Sequence, residues 1–248
     1  MLRRFLLLPA LFILIFPAHA GFSTTTPSYD ILKITGHHSH KVVFASYAEH
    51  FYSKINDNSL NYEAFSHALK GYVQLKENGR LENKKYLTVI DMQASVNEER
   101  FFIINMETQT IEHKSVVAHG KNSGLEYAKR FSNRVNSHQS SIGFYKTAET
   151  YIGKHGFSMR LDGLERSNSN ARKRAIVIHQ ADYMEQHFMD QNGRMGRSFG
   201  CPSLPAKDYK IIIEKIKEGS CLFIYFPKEH YLKTSKFIQF EYLLSKNA

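Results

Sequence analysis

After residue 40, apolar side chains recur at helical spacing in two stretches of the chain. The first runs from Lys41 to Ile55 and the second from about Asn61 to Asn78, and Gly79 suits a helix end. The residues that carry this spacing are Phe44, Tyr47, Ala48, Phe51 and Ile55, then Phe65, Leu69, Tyr72 and Val73. The pattern predicts two amphipathic helices, preceded by a polar, irregular lead-in over residues 21–40.

From residue 86 the pattern changes to short runs rich in Val, Ile, Phe and Thr, which are typical of β-strands. The predicted strands are Tyr86–Asp91, Phe101–Asn105, Ile111–Ala118, Ser158–Leu161, Ala175–His179 and Cys221–Phe226. The polar turn Glu107–Gln109 indicates a hairpin, and one helix is predicted at Ala206–Lys217. The sequence therefore predicts a mainly β domain with some α-helix, preceded by the helical pair.

Residues 1–20 have the pattern of an export signal. Arg3 and Arg4 precede an apolar stretch, Phe5–Phe16, and Ala18–Ala20 fits a signal-peptidase site. The apolar stretch is too short to cross a bilayer, which takes roughly 20 residues, and no later stretch is long enough. We expect an exported protein of the periplasm or cell envelope, with no transmembrane segment after cleavage.

These patterns divide the chain into four segments. They are a signal peptide at residues 1–20, a helical lead-in at 21–85, a β-rich domain at 86–228 and a C-terminal extension at 229–248. Inside the β-rich domain, residues 119–170 are dense in Gly, Ser, Asn, His and Tyr. Loops this polar in a compact domain are more often functional than idle, so we expect functional residues there.

Composition and charge exclude several classes of protein. The chain has 248 residues, 42% hydrophobic residues and two cysteines, which excludes disorder and a disulfide-dense miniprotein. The formal charge of +10 falls to +8 without Arg3 and Arg4. In an exported protein whose basic residues are scattered, this charge does not indicate nucleic acid. It indicates either a solvated surface or attraction to an anionic envelope polymer.

The turn around Cys201 is the most informative stretch for chemistry. Cys201 lies between Gly200 and Pro202, where a sharp turn presents the sulfur. Earlier in the chain, the run Ile176–His179 has the pattern of a short buried strand and ends in a histidine. A strand-borne histidine and a cysteine on a turn make a base and nucleophile pair, because imidazole promotes thiolate formation near neutral pH. Gly200 lacks a Cβ, which allows nearby backbone N–H groups to face a developing oxyanion.

Two structural explanations of these residues stay open at this point. Cys201 and Cys221 would pair as a disulfide in an oxidising compartment, although the apolar run around Cys221 suits a small buried hydrophobe. Thirteen histidines permit a metal site. No His/Cys pair has zinc-finger or HExxH spacing, so we expect neither metal nor cofactor.

The run Ile176–His179 followed by Ser198–Cys201 resembles the core of the YkuD-like L,D-transpeptidases, whose signature is a strand-borne histidine and a Ser/Thr-His-Gly-Cys turn. Ser141–Tyr145 is similar to that family's Thr-Pro-x-Gly-x-Phe segment. The chain is more similar still to the murein L,D-transpeptidase catalytic domain family. The ordered segments that carry this similarity are His119–Gly124, Phe131–Asn133, Tyr151–Gly156, Leu161–Glu165, Arg174–His179 and Gly196–Pro202.

The resemblance implies a mixed β-sandwich catalytic domain and cysteine acyl transfer on peptidoglycan stem peptides. It implies Cys201 as nucleophile, His179 as base and Gly200 in the oxyanion site. Arg197 would meet a stem-peptide carboxylate, because guanidinium binds carboxylates bidentately. The candidate substrate-binding residues are Tyr145, Ser141, Gly143, His119, Asn122, Ser123 and Arg197.

The chain departs from the broader family at three points. Phe199 replaces the second histidine of the turn, so acid–base work falls to His179. Ser203 stands where Arg or Asn is frequent. The interval between His179 and Cys201 is longer than usual, so the loop Ala181–Arg194 is expected to reshape the cleft.

The resemblance leaves the acyl acceptor open. A stem-peptide amine would give a cross-link, the amino group of an exported protein would give an anchored protein, and water would give L,D-carboxypeptidase or endopeptidase hydrolysis. A non-catalytic peptidoglycan-binding protein with a Cys201–Cys221 disulfide is the remaining alternative.

Overall fold

The computed structural model describes residues 37–239, with side chains from residue 44, so the predicted signal peptide at residues 1–20 lies outside the described residues. Within that range the chain forms five α-helices and eight strands. The helices are α1 His37–Ile55, α2 Tyr62–Glu77, α3 Gln186–Asn192, α4 Tyr209–Ile216 and α5 Glu229–Thr234. The strands are β1 Tyr86–Asp91, β2 Phe101–Asn105, β3 Thr110–Ser115, β4 Gly143–Gly153, β5 Gly156–Gly163, β6 Val177–Gln180, β7 Ser203–Leu204 and β8 Cys221–Tyr225.

The two N-terminal helices form, and α1 begins earlier than predicted. It starts at His37, inside the stretch predicted to be irregular, because the polar residues there have only a weak intrinsic preference against helix. α2 follows Asn61, whose side-chain oxygen accepts a hydrogen bond from the Ala64 N–H at 3.0 Å and caps the first turn. The apolar faces of the helices meet where the rings of Phe51 and Phe65 lie 5.4 Å apart.

All eight strands join one continuous sheet in the order β3-β2-β1-β8-β4-β5-β6-β7. β1 and β8 pair in parallel inside the sheet, β6 and β7 pair in parallel at one edge, and the other pairs are antiparallel. β1, β2 and β8 are buried along their whole length. The mainly β fold with a preceding helical pair is confirmed.

The helical pair shares one hydrophobic core with the sheet. α2 packs on β1 and β8. Gly71 of α2 lies so close to Phe144 of β4 that a Cβ on Gly71 would be 2.2 Å from the ring. The close approach explains a glycine in the middle of a helix, where it costs conformational entropy.

Several elements were not predicted. β4 lies in the polar region interpreted as loops, because its inward residues include Tyr145 and Thr147 and their polar groups hide the alternation. The segment predicted as a C-terminal extension contains α5, and Tyr231, Phe237 and Ile238 of this segment are buried in the core. Residues 240–248 lie outside the described range. Among residues 37–239 there is no helix with the length and apolarity to cross a membrane.

Candidate active site

The residues predicted as base and nucleophile lie against the same segment of chain. His179 is the third residue of β6 and pairs in register with Ser203 of β7. Cys201 precedes Ser203 by two residues, and its Sγ lies 3.6 Å from the carbonyl oxygen of Ala175, just before β6. Cys201 and His179 therefore both belong to the β6–β7 edge of the sheet, with Cys201 two residues from the partner of His179 in register.

Both cysteines are free thiols, which argues against the disulfide alternative. Cys201 is half-buried, whereas Cys221 is fully buried in β8. Burial raises the pKa of both thiols. At Cys201 the Val177 N–H and the Arg174 guanidinium act in the opposite direction. The Cys201 side chain is therefore a neutral thiol at neutral pH before substrate binds.

The His179 imidazole is hydrogen bonded through both nitrogens. Nδ1 lies 2.6 Å from the carbonyl oxygen of Gln180, which can only accept, so Nδ1 carries the proton. Nε2 then holds the lone pair and accepts from the Ser203 hydroxyl at 3.0 Å, and Tyr183 donates to Ser203 Oγ at 2.9 Å. Burial, ahead of the charges on His155 and Lys154, lowers the pKa of His179. His179 is therefore a neutral imidazole with its lone pair on Nε2.

Gly200 has a backbone conformation and surroundings that suit glycine. Its φ is +126°, and a Cβ there would lie 2.9 Å from both Arg174 Nη2 and the Gln139 carbonyl oxygen. Its N–H donates to Ser198 Oγ at 2.9 Å, and the Ser198 hydroxyl donates to the Cys201 carbonyl at 2.7 Å. The Gly200 N–H is therefore already engaged within the turn.

Arg174 is a site residue that the sequence analysis missed. Its Nη1 donates to the Ser132 carbonyl at 2.8 Å and to Ser141 Oγ at 3.1 Å, and its Nη2 donates to the Gln139 carbonyl. Burial lowers its pKa, and the Cys201 thiol partly offsets this. In the sequence it lies in the basic run Arg172–Arg174, which has the appearance of a surface cluster.

The three residues predicted to line the cleft from the β4 region lie inside the domain. Tyr145 is fully buried, and its hydroxyl donates to the Ser141 carbonyl at 2.9 Å and lies 2.7 Å from Ser141 Oγ. Gly143 has a φ of +117°, and a Cβ there would lie 2.6 Å from Glu165 Oε2. These residues support the loop that Arg174 binds, which favours structural roles over substrate contact.

The candidates in the 119–124 loop divide between interior and surface. His119 is fully buried and accepts from Arg100, and buried Ser123 accepts from the Ser140 N–H through its Oγ. Asn122 is exposed, and its side chain donates to the Ser137 carbonyl at 2.9 Å. Of these three, Asn122 has the position best suited to meet a substrate.

Arg197 and Phe199 lie in the turn before Cys201. Arg197 Nη1 donates to the carbonyls of Lys121 and Gly124 at 3.0 and 2.9 Å, which uses one end of the guanidinium structurally. Phe199 is 65% exposed, with Lys121 Nζ 4.5 Å from its ring centroid and the His138 ring 4.6 Å away. An aromatic and cationic rim therefore borders the candidate site.

The structure also has two cavities near the loop that Arg174 binds and near α5. One of about 280 Å³ is lined by Ser132, which binds Arg174, and by Glu165. An adjoining cavity of about 620 Å³ shares Glu165. Neither is lined by Cys201 or His179. Among the described residues no group of three His, Cys, Asp or Glu side chains is arranged to hold a metal.

Residues 56–225 match the model of the L,D-transpeptidase catalytic domain family. The match covers more than half of the chain and includes the Cys201 turn and the His179 strand. The chain therefore belongs to the L,D-transpeptidase catalytic domain family, a family of enzymes.

Solved structures of L,D-transpeptidases are similar at low identity. The enzyme from Mycobacterium smegmatis and LdtMt1 in complex with imipenem each share 12% identity, with a TM-score of 0.36. Each match covers 57% of this chain and 59% of the other, so the chain spans less than two thirds of those structures. A structure from Xylanimonas cellulosilytica gives 12% identity, 55% and 58% coverage and a TM-score of 0.30. No match was found among curated proteins.

Proposed function

We propose that this protein is a peptidoglycan L,D-transpeptidase in which Cys201 is the nucleophile and His179 the base. The observation that carries the proposal is the pairing at the β6–β7 edge. A free, half-buried thiol at Cys201 is two residues from Ser203, which pairs in register with His179 and donates to the basic nitrogen of its neutral imidazole. Family membership supplies the substrate class, the stem peptides of peptidoglycan, and the export-type pattern of residues 1–20 suits a reaction in the cell envelope.

In the first half-reaction the Cys201 thiol leaves the Ala175 carbonyl, the Ser203 hydroxyl turns away from His179 Nε2, and Nε2 takes the thiol proton. The sulfur attacks the carbonyl carbon of the third stem residue, the C–N bond to the terminal D-Ala breaks, and the leaving amine takes the proton from His179. The product is a thioester. One residue serves as base and then as acid, which suits an imidazole with the Nδ1 proton anchored on Gln180.

In the second half-reaction a side-chain amine of another stem peptide attacks the thioester. His179 accepts a proton from that amine, the new amide cross-link forms as the C–S bond breaks, and the Cys201 sulfur takes the proton from His179, which restores the thiol and the neutral imidazole. Because the Gly200 N–H is engaged by Ser198, we assign the oxyanion contact to the Cys201 N–H, for which no hydrogen bond is present among the described residues.

The test is to incubate the purified protein with disaccharide tetrapeptide and resolve the products by mass. We expect a cross-linked dimer and free D-Ala. Cys201→Ala should abolish both products. Cys221→Ala, the matched control at the buried thiol, should keep turnover. Full activity in Cys201→Ala would overturn the assignment. If the wild-type protein releases D-Ala from the substrate but forms no cross-linked dimer, the protein is a hydrolase instead.

A further inference from the structure

His155 lies directly against the proposed base, although the mechanism above does not use it. The rings of His155 and His179 stack with their centroids 4.4 Å apart and an interplanar angle of 26°. His155 is exposed, whereas His179 is only 5% exposed. One face of the buried imidazole is therefore covered by a second imidazole that itself faces solvent.

The β4–β5 hairpin holds His155 in this place. Gly153 and Gly156 pair in register at the ends of the two strands, which leaves Lys154 and His155 as a two-residue turn. Gly156, the first residue after the turn, has a φ of +76°, a conformation that glycine adopts without strain. Because the strands next to the turn pair in register from Thr150–Gly153 to Gly156–Met159, His155 is held by paired strands on both sides.

The stack restrains a motion that the hydrogen bonds of His179 leave free. The bonds from Nδ1 to Gln180 and from Ser203 to Nε2 act at the edge of the ring. Neither bond covers a ring face. A flat ring packed on that face resists tilting and excludes water from it.

Burial of His179 and the positive charges near it both lower the pKa of its imidazole. Burial is the main cause of its lowered pKa, and positive charge on His155 and Lys154 adds to it. On the other side Tyr183 reaches His179 through Ser203. No carboxylate forms an ion pair with His179 within the described part of the chain.

We propose that His155 is a positioning residue for His179, whose ring holds the plane of the proposed base and shields one of its faces from water. The catalytic meaning of this contact rests on the proposed function, whereas the contact itself does not. The test therefore has one readout that needs no turnover and one that does.

The first readout is the imidazole titration of His179, followed by NMR in the intact protein. His155→Ala should move its midpoint to higher pH, because both the shielding and the neighbouring charge are lost. His155→Phe keeps a flat ring and should move the midpoint less. The matched control is His230→Ala at an exposed histidine on α5, which should leave it unchanged. An unchanged midpoint in His155→Ala would overturn the proposal.

The second readout is the pH profile of dimer formation. His155→Ala should lower kcat by about tenfold with little change in KM, and the acid limb of kcat/KM should move with the NMR midpoint. His155→Phe should restore most of kcat. A wild-type kcat and acid limb in His155→Ala would also overturn the proposal. If the wild-type protein shows no turnover, the proposed function fails, and the NMR result still decides the positioning role.

Discussion

Arg100 Nη2 and His119 Nδ1 lie 2.9 Å apart in the interior, and both side chains are fully buried. Arg100 also donates to the carbonyls of Val117 and Ala94. Because guanidinium only donates, His119 Nδ1 must accept, and the imidazole is neutral. Burial, followed by the Arg100 charge, lowers the pKa of His119 to about 3, and burial lowers the pKa of Arg100 to about 9.

This relationship predicts that Arg100 supports folding. Arg100→Met removes the donors of two carbonyls and one imidazole in a site without water access. We expect the free energy of unfolding to fall by about 3 kcal/mol. Urea denaturation measures this. Arg130→Met, at an exposed arginine, should change it by less than about 0.5 kcal/mol. Equal midpoints for the two variants would contradict the role assigned to Arg100.

The lowered pKa of His119 also predicts a pH dependence of stability. In the unfolded chain this histidine has its ordinary pKa of 6.5 and is protonated below that pH. In the folded chain its pKa is about 3, so it stays neutral down to about pH 3. Its contribution is therefore complete above pH 6.5 and is lost as the pH falls towards 3. Between pH 7 and pH 4 the wild type should lose on the order of 3 kcal/mol more than His119→Gln. Parallel losses in urea titrations at the two pH values would refute this prediction.

The hydrogen bond from Ser203 to His179 predicts that a substitution at Ser203 lowers kcat without unfolding the protein. Its hydroxyl is the donor to His179 Nε2 and is itself held by Tyr183. Ser203→Ala should reduce kcat for dimer formation by about tenfold with a small change in stability. Tyr183→Phe should have the same effect in weaker form. Ser46→Ala, at an exposed serine of α1, is the control, and equal kcat in Ser203→Ala and Ser46→Ala would exclude the role.

Gly200 and Gly193 offer a matched comparison of two glycines with positive φ. At Gly193, φ is +70° and a Cβ would meet nothing within 4 Å, whereas at Gly200 it would meet Arg174 and the Gln139 carbonyl. Gly193→Ala should cost about 1 kcal/mol of stability from backbone strain alone. Gly200→Ala should cost about 2–3 kcal/mol and abolish turnover, because the nucleophile turn must shift. Thermal unfolding and the dimer assay separate the two effects, and equivalent behaviour of the variants would count against the crowding at Gly200.

Elements with a clean apolar period were predictable from the sequence. β1 and β2 have the bounds predicted from the runs Tyr86–Asp91 and Phe101–Asn105, and α2 lies within its predicted range Asn61–Asn78. β4 was missed because Tyr145 and Thr147 point inward while carrying hydroxyls, which a hydrophobic alternation cannot register. In such strands burial is set by hydrogen bonds made elsewhere in the chain, here Ser141 for Tyr145 and Ile216 for Thr147.

The candidate site shows the same division. Cys201, His179 and Gly200 were predicted as catalytic because their residue types and order are typical of cysteine acyl transfer, and that assignment stays a prediction. Arg174 and His155 were missed because their contacts join segments distant in sequence, the 131–141 loop in one case and β6 in the other. A local pattern contains no information about such contacts. The assignments to His119 and Tyr145 relied on motif similarity, which does not distinguish a substrate contact from a buried support.

The state of the Cys201–His179 pair predicts the pH profile of thiol reactivity. Burial raises the pKa of the Cys201 thiol and lowers the pKa of the His179 imidazole, so both groups are neutral before substrate binds. The rate of Cys201 alkylation by iodoacetamide should therefore be low at pH 7 and rise through a single transition above pH 9. Cys221→Ala removes the second thiol without changing this profile. A rate that is already maximal between pH 5 and pH 8 would instead reveal a preformed thiolate–imidazolium pair, because an ion pair keeps the sulfur deprotonated until the imidazolium loses its proton.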